Sequence, residues 1–189
     1  MIHETVIVTR GRDGRYNISP IGMREEGNLA IIAPFRPSTT LENLQATRQA
    51  VINMTDDVAI IAGCLTGRRD WPLTPVGFVN GARLAAALAH LEVAVERIED
   101  DELRPRFFCK ILHRGIHGAF RGFNRAQAAV LEAAILVSRL QLLPPERVAH
   151  DLEYLSIAIE KTAGPRERLA WQWLMEKITA HRQLAAISA

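Results

Sequence analysis

The chain has 189 residues, of which 48% are hydrophobic and 23% charged, and a net charge of +2 at pH 7. That profile belongs to a folded protein with room for one core, or for a medium domain and a small one, and it excludes a disordered chain. The small charge, with no Lys/Arg run interleaved with stacking aromatics, argues against nucleic acid as a partner. No stretch reaches membrane-spanning length and the start, MIHETVIVTRGRDGRYN, lacks the apolar segment of a signal peptide, so no membrane partner and a cytoplasmic location are expected.

Up to about residue 113 the chain reads as strands broken by turns. ETVIVTR is β-branched, GRDGRYN is a Gly- and Asp-bearing turn, and the extended YNISPIGM completes a hairpin signal. EEGN then turns the chain into LAIIAPF, and TLENLQATRQ reads as a helix. AVINMTDDVAIIAGCL reads as two strands joined at Asp56-Asp57. HLEVAVERIE alternates, with Leu91, Val93 and Val95 on one face and Glu92, Ala94 and Glu96 on the other. RFFCKILH is a further strand after the turn DDELRP. Six or seven short strands favour a closed or nearly closed antiparallel barrel, because closure removes exposed strand edges. Cys64 and Cys109 sit in apolar runs without CxxC spacing and read as two reduced, buried thiols.

From Asn124 the period changes. NRAQAAVLEAAILVSRLQLL is an Ala- and Leu-rich helix with Asn124 as N-cap, stopped by Pro144-Pro145. A second helix carries Val148, Leu152, Leu155 and Ile159 on one stripe and ends near Gly164. A third has Leu169, Trp173 and Ile178 along its inner stripe; Trp171, two residues from Trp173, faces elsewhere. The expected fold class is α+β: a β-barrel over residues 1–123 and a small three-helix domain over 124–189, joined at the glycine-bearing GAFRGF.

The stretch RPSTTLENL concentrates groups that suit an anion. Arg36 offers a charged fork, Ser38, Thr39 and Thr40 offer hydroxyls, and the helix start adds free N–H groups and a favourable dipole. From composition alone, ordinary helix capping by one of the hydroxyls, with Glu42 as first-turn acid, is the simpler reading of the same residues.

The order NISPIGM, APFRPSTTLENL and AVINMTDD resembles the split-barrel proteins that bind flavin mononucleotide (FMN), the group that includes flavin reductases. GFNRAQAAVLEAAILVSRL is further similar to a subfamily with a helical C-terminal domain, associated with tetrahydromethanopterin-dependent one-carbon metabolism. The resemblance implies FMN as cofactor. Asn17, Ile18, Ser19 and Pro20 would lie beside the isoalloxazine ring, and Arg36, Ser38, Thr39, Thr40 and Asn43 would hold the phosphate. Asn53, Met54 and Thr55 would end a strand near the ribityl chain or ring. It also implies a homodimer with FMN at the interface, where Trp71, Pro72 and the segment from His117 to Phe123 would complete each pocket. Arg125, at the start of the first C-terminal helix, is a further candidate, set against Asn124 as a simple cap. The implied activity is an oxidoreductase passing electrons from a reduced nicotinamide or other donor to a small acceptor, with a pterin as one candidate. The alternative is an FMN or pterin carrier without turnover. No catalytic side chain is nominated, since the flavin would carry the chemistry.

Other constellations carry less. HRGIH spaces His113 and His117 four apart, but Gly115 disfavours a helix there and no metalloprotease Glu is present, so the segment reads as a loop bordering the cofactor pocket and no metal site is expected. His3, His90, His150 and His181 have no neighbours in sequence that suggest chemistry. Asp56-Asp57 and Asp100-Asp101 read as turn formers.

Overall fold

The fold is described from a computed structural model, over residues 1–187. Eight strands and five helices follow one another as β1 (His3–Arg10), β2 (Tyr16–Glu26), β3 (Leu29–Ile32), α1 (Thr39–Thr47), β4 (Gln49–Met54), α2 (Val58–Leu65), β5 (Leu73–Pro75), β6 (Ala82–Leu84), β7 (Ala89–Glu99), β8 (Arg106–Ile116), α3 (Arg125–Val137), α4 (Pro145–Thr162) and α5 (Pro165–Ile187). Among these residues no helix is long and apolar enough to cross a membrane. The chain divides into two compact units: residues 1–56 with 69–120, and residues 57–68 with 121–189.

The first unit is a closed antiparallel barrel in the order β1-β2-β3-β8-β7-β4, accompanied by a two-stranded β5-β6 ribbon. Its hairpins follow from alternation. In β7 the expected inward residues Leu91, Val93 and Val95 are buried in the core with Ile7, Ile52 and Phe107. Leu41 and Leu44 of α1 join the same core, so α1 seals part of the barrel. β2 is much longer than β3. Their ladder covers only Met23–Glu26, so β2 from Tyr16 to Gly22 pairs with β1 on one edge and has no ladder partner on the other among the described residues.

The second unit contains the three expected C-terminal helices and one that was expected to be a strand. VAIIAGCL forms α2, whose residues from Val58 to Cys64 are all buried. A short run that is apolar on every side carries no period, so strand and helix look alike in it. The deciding group is Asp57: its Oδ1 accepts the Ala59 N–H and caps the helix, and its carboxylate also takes the Arg166 guanidinium. Asn124 caps α3 as expected, its Oδ1 accepting from Ala126 N and Gln127 N. On α4 the buried residues are Val148 and Ile159. On α5 the inner stripe is Ala170, Leu174 and Ile178, one residue on from the expected Leu169 and Trp173; Trp173 instead carries the Arg68 guanidinium over its ring at 4.2 Å. Both cysteines are buried.

Candidate functional site

Two places in the barrel unit bring polar groups together. The first lies where the unpaired edge of β2 meets the start of α1. Ser38 is the N-cap, with its Oγ accepting from Leu41 N at 3.3 Å, so the capping reading holds for this hydroxyl. The first-turn N–H groups of Thr39 and Thr40 have no intrahelical acceptor, and they sit at the positive end of the helix dipole. Asn17 of β2 donates through Nδ2 to Thr40 Oγ1 at 2.9 Å, tying the strand edge to the helix start. Its Oδ1 accepts from Arg69 Nη1 at 3.3 Å. Arg69 was not singled out from the sequence, where it lies 52 residues from Asn17; only the fold brings this exposed cation to the helix start.

The other nominated residues divide. Ile18 is buried, while Ser19 and Pro20 are half-buried on the same strand. Asn43 is buried and donates to Thr9 Oγ1 at 3.0 Å, bracing α1 against β1. Arg36 donates from Nε to Asp101 O and from Nη2 to Asp100 Oδ1, so those two groups hold the loop before α1 to the β7–β8 turn. Asn53 is fully buried; Nδ2 donates to Val6 O and Val51 O, and Oδ1 accepts from Leu84 N. Its side chain is thus used within the unit, stitching β4 to β1 and β6. Met54 packs on the barrel core, and Thr55 Oγ1 donates to Ala86 O. Trp71 and Pro72 lie on the connection that leads into β5. Arg125 is exposed on α3 in the second unit.

The second place was not foreseen. His90 and Glu92 lie two apart on β7, on the face opposite Leu91 and Val93, and both are buried, at 4% and 2% exposure. Glu92 is paired across the β7–β8 ladder with His113, and His90 with Gly115. Glu92 Oε2 accepts the backbone N–H groups of Phe78 at 2.6 Å and Val79 at 2.9 Å. Its Oε1 stands 3.5 Å from His90 Nε2, a buried nitrogen with no hydrogen-bond partner. The other nitrogen of the ring, Nδ1, lies 2.8 Å from His117 Nε2. The His113 ring stacks on Phe78, with centroids 4.5 Å apart. Burial holds the His90 imidazole below its ordinary pKa, against the pull of Glu92, and burial also lowers His117, with Arg83 adding to the effect. HRGIH is therefore strand as far as Ile116, not a loop, and His90 has three companions.

The family models agree with this architecture. The N-terminal domain of a protein of unknown function (DUF447) matches residues 3–118, and the second model described as a protein of unknown function (DUF447) matches residues 124–176. No curated protein matches the sequence. Among solved structures, an FMN-bound protein from Methanosarcina mazei of the same family superposes with a TM-score of 0.80 at 20% identity, over 93% of this chain and 94% of that one. The 2-nitrobenzoate 2-nitroreductase of Pseudomonas fluorescens matches with a TM-score of 0.52 at 21% identity, over 60% of this chain and 64% of its own. The NADH:FAD oxidoreductase of Streptomyces globisporus gives 0.52 at 16% identity, over 65% and 81%. These likenesses establish the fold as that of the FMN-binding, flavin-reductase-like split barrel. With both of its halves matched by the family's models, the chain belongs to the DUF447 family.

Proposed function

We propose that this protein binds FMN and works as an oxidoreductase. The observation that carries this reading is the open edge of β2 at Asn17–Pro20 beside the start of α1. A planar ring with a polar edge fits an unpaired strand edge, whose outward N–H and C=O groups need partners. A phosphate fits the helix start, where the Thr39 and Thr40 N–H groups, the Thr39 hydroxyl and the dipole favour an anion. Arg69 supplies the positive charge there, and Arg36 anchors the loop that carries these groups. The fold shared with an FMN-bound family member supports the same assignment. Bound flavin would supply hydride and electron transfer between a donor such as a reduced nicotinamide and a small acceptor. The chain's own residues bind and orient it.

We further propose a homodimer. Ile116, 85% exposed at the end of β8, and Phe78, 60% exposed, leave apolar surface on the barrel unit that a second copy would cover.

The test is an FMN titration of wild type, Arg69→Ala and Asn17→Ala, followed by the flavin absorption band near ~450 nm. Wild type should bind, and loss of the charge-assisted contact in Arg69→Ala should weaken binding by about tenfold or more. A folded wild type without measurable FMN binding would sink the reading. NADH oxidation with and without an added oxidised pterin then tests the acceptor that the subfamily resemblance implies.

A further inference from the structure

We propose that His90, Glu92 and His113 form a binding site for a divalent first-row transition-metal ion, with His117 as the group that orients His90. The topology makes the site: residues two apart on β7 share a face, and the ladder sets His113 directly across from Glu92. One ligand atom from each of the three lies within 4.8 Å of the other two.

The unpartnered nitrogen is the main observation. His90 Nε2 is buried and aimed at a carboxylate oxygen 3.5 Å away, yet it makes no hydrogen bond. Two donors bound at about 2.0–2.1 Å to one tetrahedral ion lie ~3.3 Å apart, close to this spacing. His113, the half-exposed member, needs only to swing inward to complete the set.

The surrounding contacts are those a metal site needs. Ligating groups are held by hydrogen bonds from a second layer, which fix the tautomer and aim the lone pair. Here the Phe78 and Val79 N–H groups hold Glu92 Oε2 and leave Oε1 toward His90. In the tautomer whose Nδ1–H donates to His117 Nε2, 2.8 Å away, His90 Nε2 carries a lone pair facing a carboxylate, an arrangement that a cation between them relieves. Arg83, the nearby cation, donates to the Leu84 and Ala85 carbonyls. The donor set is two imidazoles and one carboxylate without thiolate, which suits zinc with an open fourth position or ferrous iron in a facial arrangement.

The test uses full-length protein stripped with a chelator and titrated with Co2+, then with Zn2+ and, without oxygen, Fe2+ in competition. One Co2+ per chain is expected, with visible bands whose intensity separates four-coordinate from six-coordinate binding. His113→Ala should lower the affinity at least about a hundredfold, and His117→Ala by about 10- to 100-fold. His150→Ala, exposed on α4, should change nothing. Circular dichroism melts check that each variant is folded, and Glu92→Gln repeats the test at the buried ligand. A folded wild type that binds none of the three ions overturns the proposal, which then leaves a proton between His90 and Glu92. Binding that survives both His113→Ala and Glu92→Gln overturns it as well.

Discussion

Gly115 faces His90 across the β7–β8 ladder, and a methyl group on its Cα would stand 2.3 Å from the imidazole Cε1 and 2.6 Å from Nδ1. The glycine is needed for close approach. The ring occupies the space that any side chain at 115 would take, and its Nδ1 contact with His117 Nε2 at 2.8 Å keeps it there. Gly115→Ala should therefore push the ring off its partners and destabilise the protein by about 1–3 kcal/mol, the usual cost of overpacking. A urea melt measures this. The double variant Gly115→Ala/His90→Ala should recover part of the loss, because the clash disappears with the ring. Additive losses would mean that the ring does not sit against Gly115.

The same relationship explains what could be read from the sequence. The barrel was legible because Leu91, Val93 and Val95 alternate with Glu92, Ala94 and Glu96, and the alternation survives into the structure as the two faces of β7, one of them in the barrel core. Asn124 was legible as a cap because capping is local. His90 was not, because its companions come from Glu92 on the strand's outer face, from residues 23 and 27 positions later, and from a ladder register that no local pattern encodes. HRGIH read as a loop because Gly115 disfavours a helix, whereas β8 runs on to Ile116 and brings the His113 and His117 rings to His90. Arg69 was hidden in the same way: its relation to Asn17 exists only once the connection between α2 and β5 has met β2.

Asn53 was nominated as a flavin neighbour, and its hydrogen bonds give it a measurable structural weight. It is wholly buried, and it is the acceptor for Leu84 N and a donor to Val6 O. Asn53→Ala leaves that N–H buried without a partner, which should cost about 2–3 kcal/mol, read as a lower urea midpoint with an unchanged slope. Asn53→Asp keeps the acceptor but sets a charge against the Val6 and Val51 carbonyls. It should be less stable than Asn53→Ala at pH 7 and recover toward it on acidification, when the carboxyl can donate again. A variant as stable as wild type would show that water replaces the side chain.

Cys109 lies inside the barrel on β8, and burial pushes its thiol from the ordinary 9.0 up to about 12, with Arg48 opposing only weakly. Thiolate is the reactive form, so at pH 8 the upward shift alone should slow alkylation of native Cys109 by about a thousandfold relative to the unfolded chain. The sign for stability follows from the same shift. The folded state keeps a proton that the unfolded chain releases above pH 9.0, so this contribution is complete below that pH and is lost as pH rises toward about 12. Cys109→Ser or Cys109→Ala should flatten that alkaline loss. Rapid labelling of Cys109 in folded protein, followed by peptide mass analysis, would contradict the buried placement.

Asp57 decides whether VAIIAGCL is a helix. Its carboxylate caps α2 through the Ala59 N–H and receives the Arg166 fork from α5, so one side chain both starts α2 and ties it to the C-terminal helix. The pair is only part-buried, which limits the electrostatic share, but the cap and the two-point geometry act together. Asp57→Ala should lower stability by about 1–2 kcal/mol, with the loss confined to the second unit. Asp57→Asn keeps a capping oxygen and should restore roughly half of it. Arg166→Ala should cost less than Asp57→Ala, since the cap remains. Amide exchange is the measurement of choice: Asp57→Ala should speed exchange in α2 and α5 while leaving β4 and β7 protected, because the capped segment belongs to the helical unit rather than to the barrel. Equal loss of protection in the strands would assign residues 57–68 to the barrel after all.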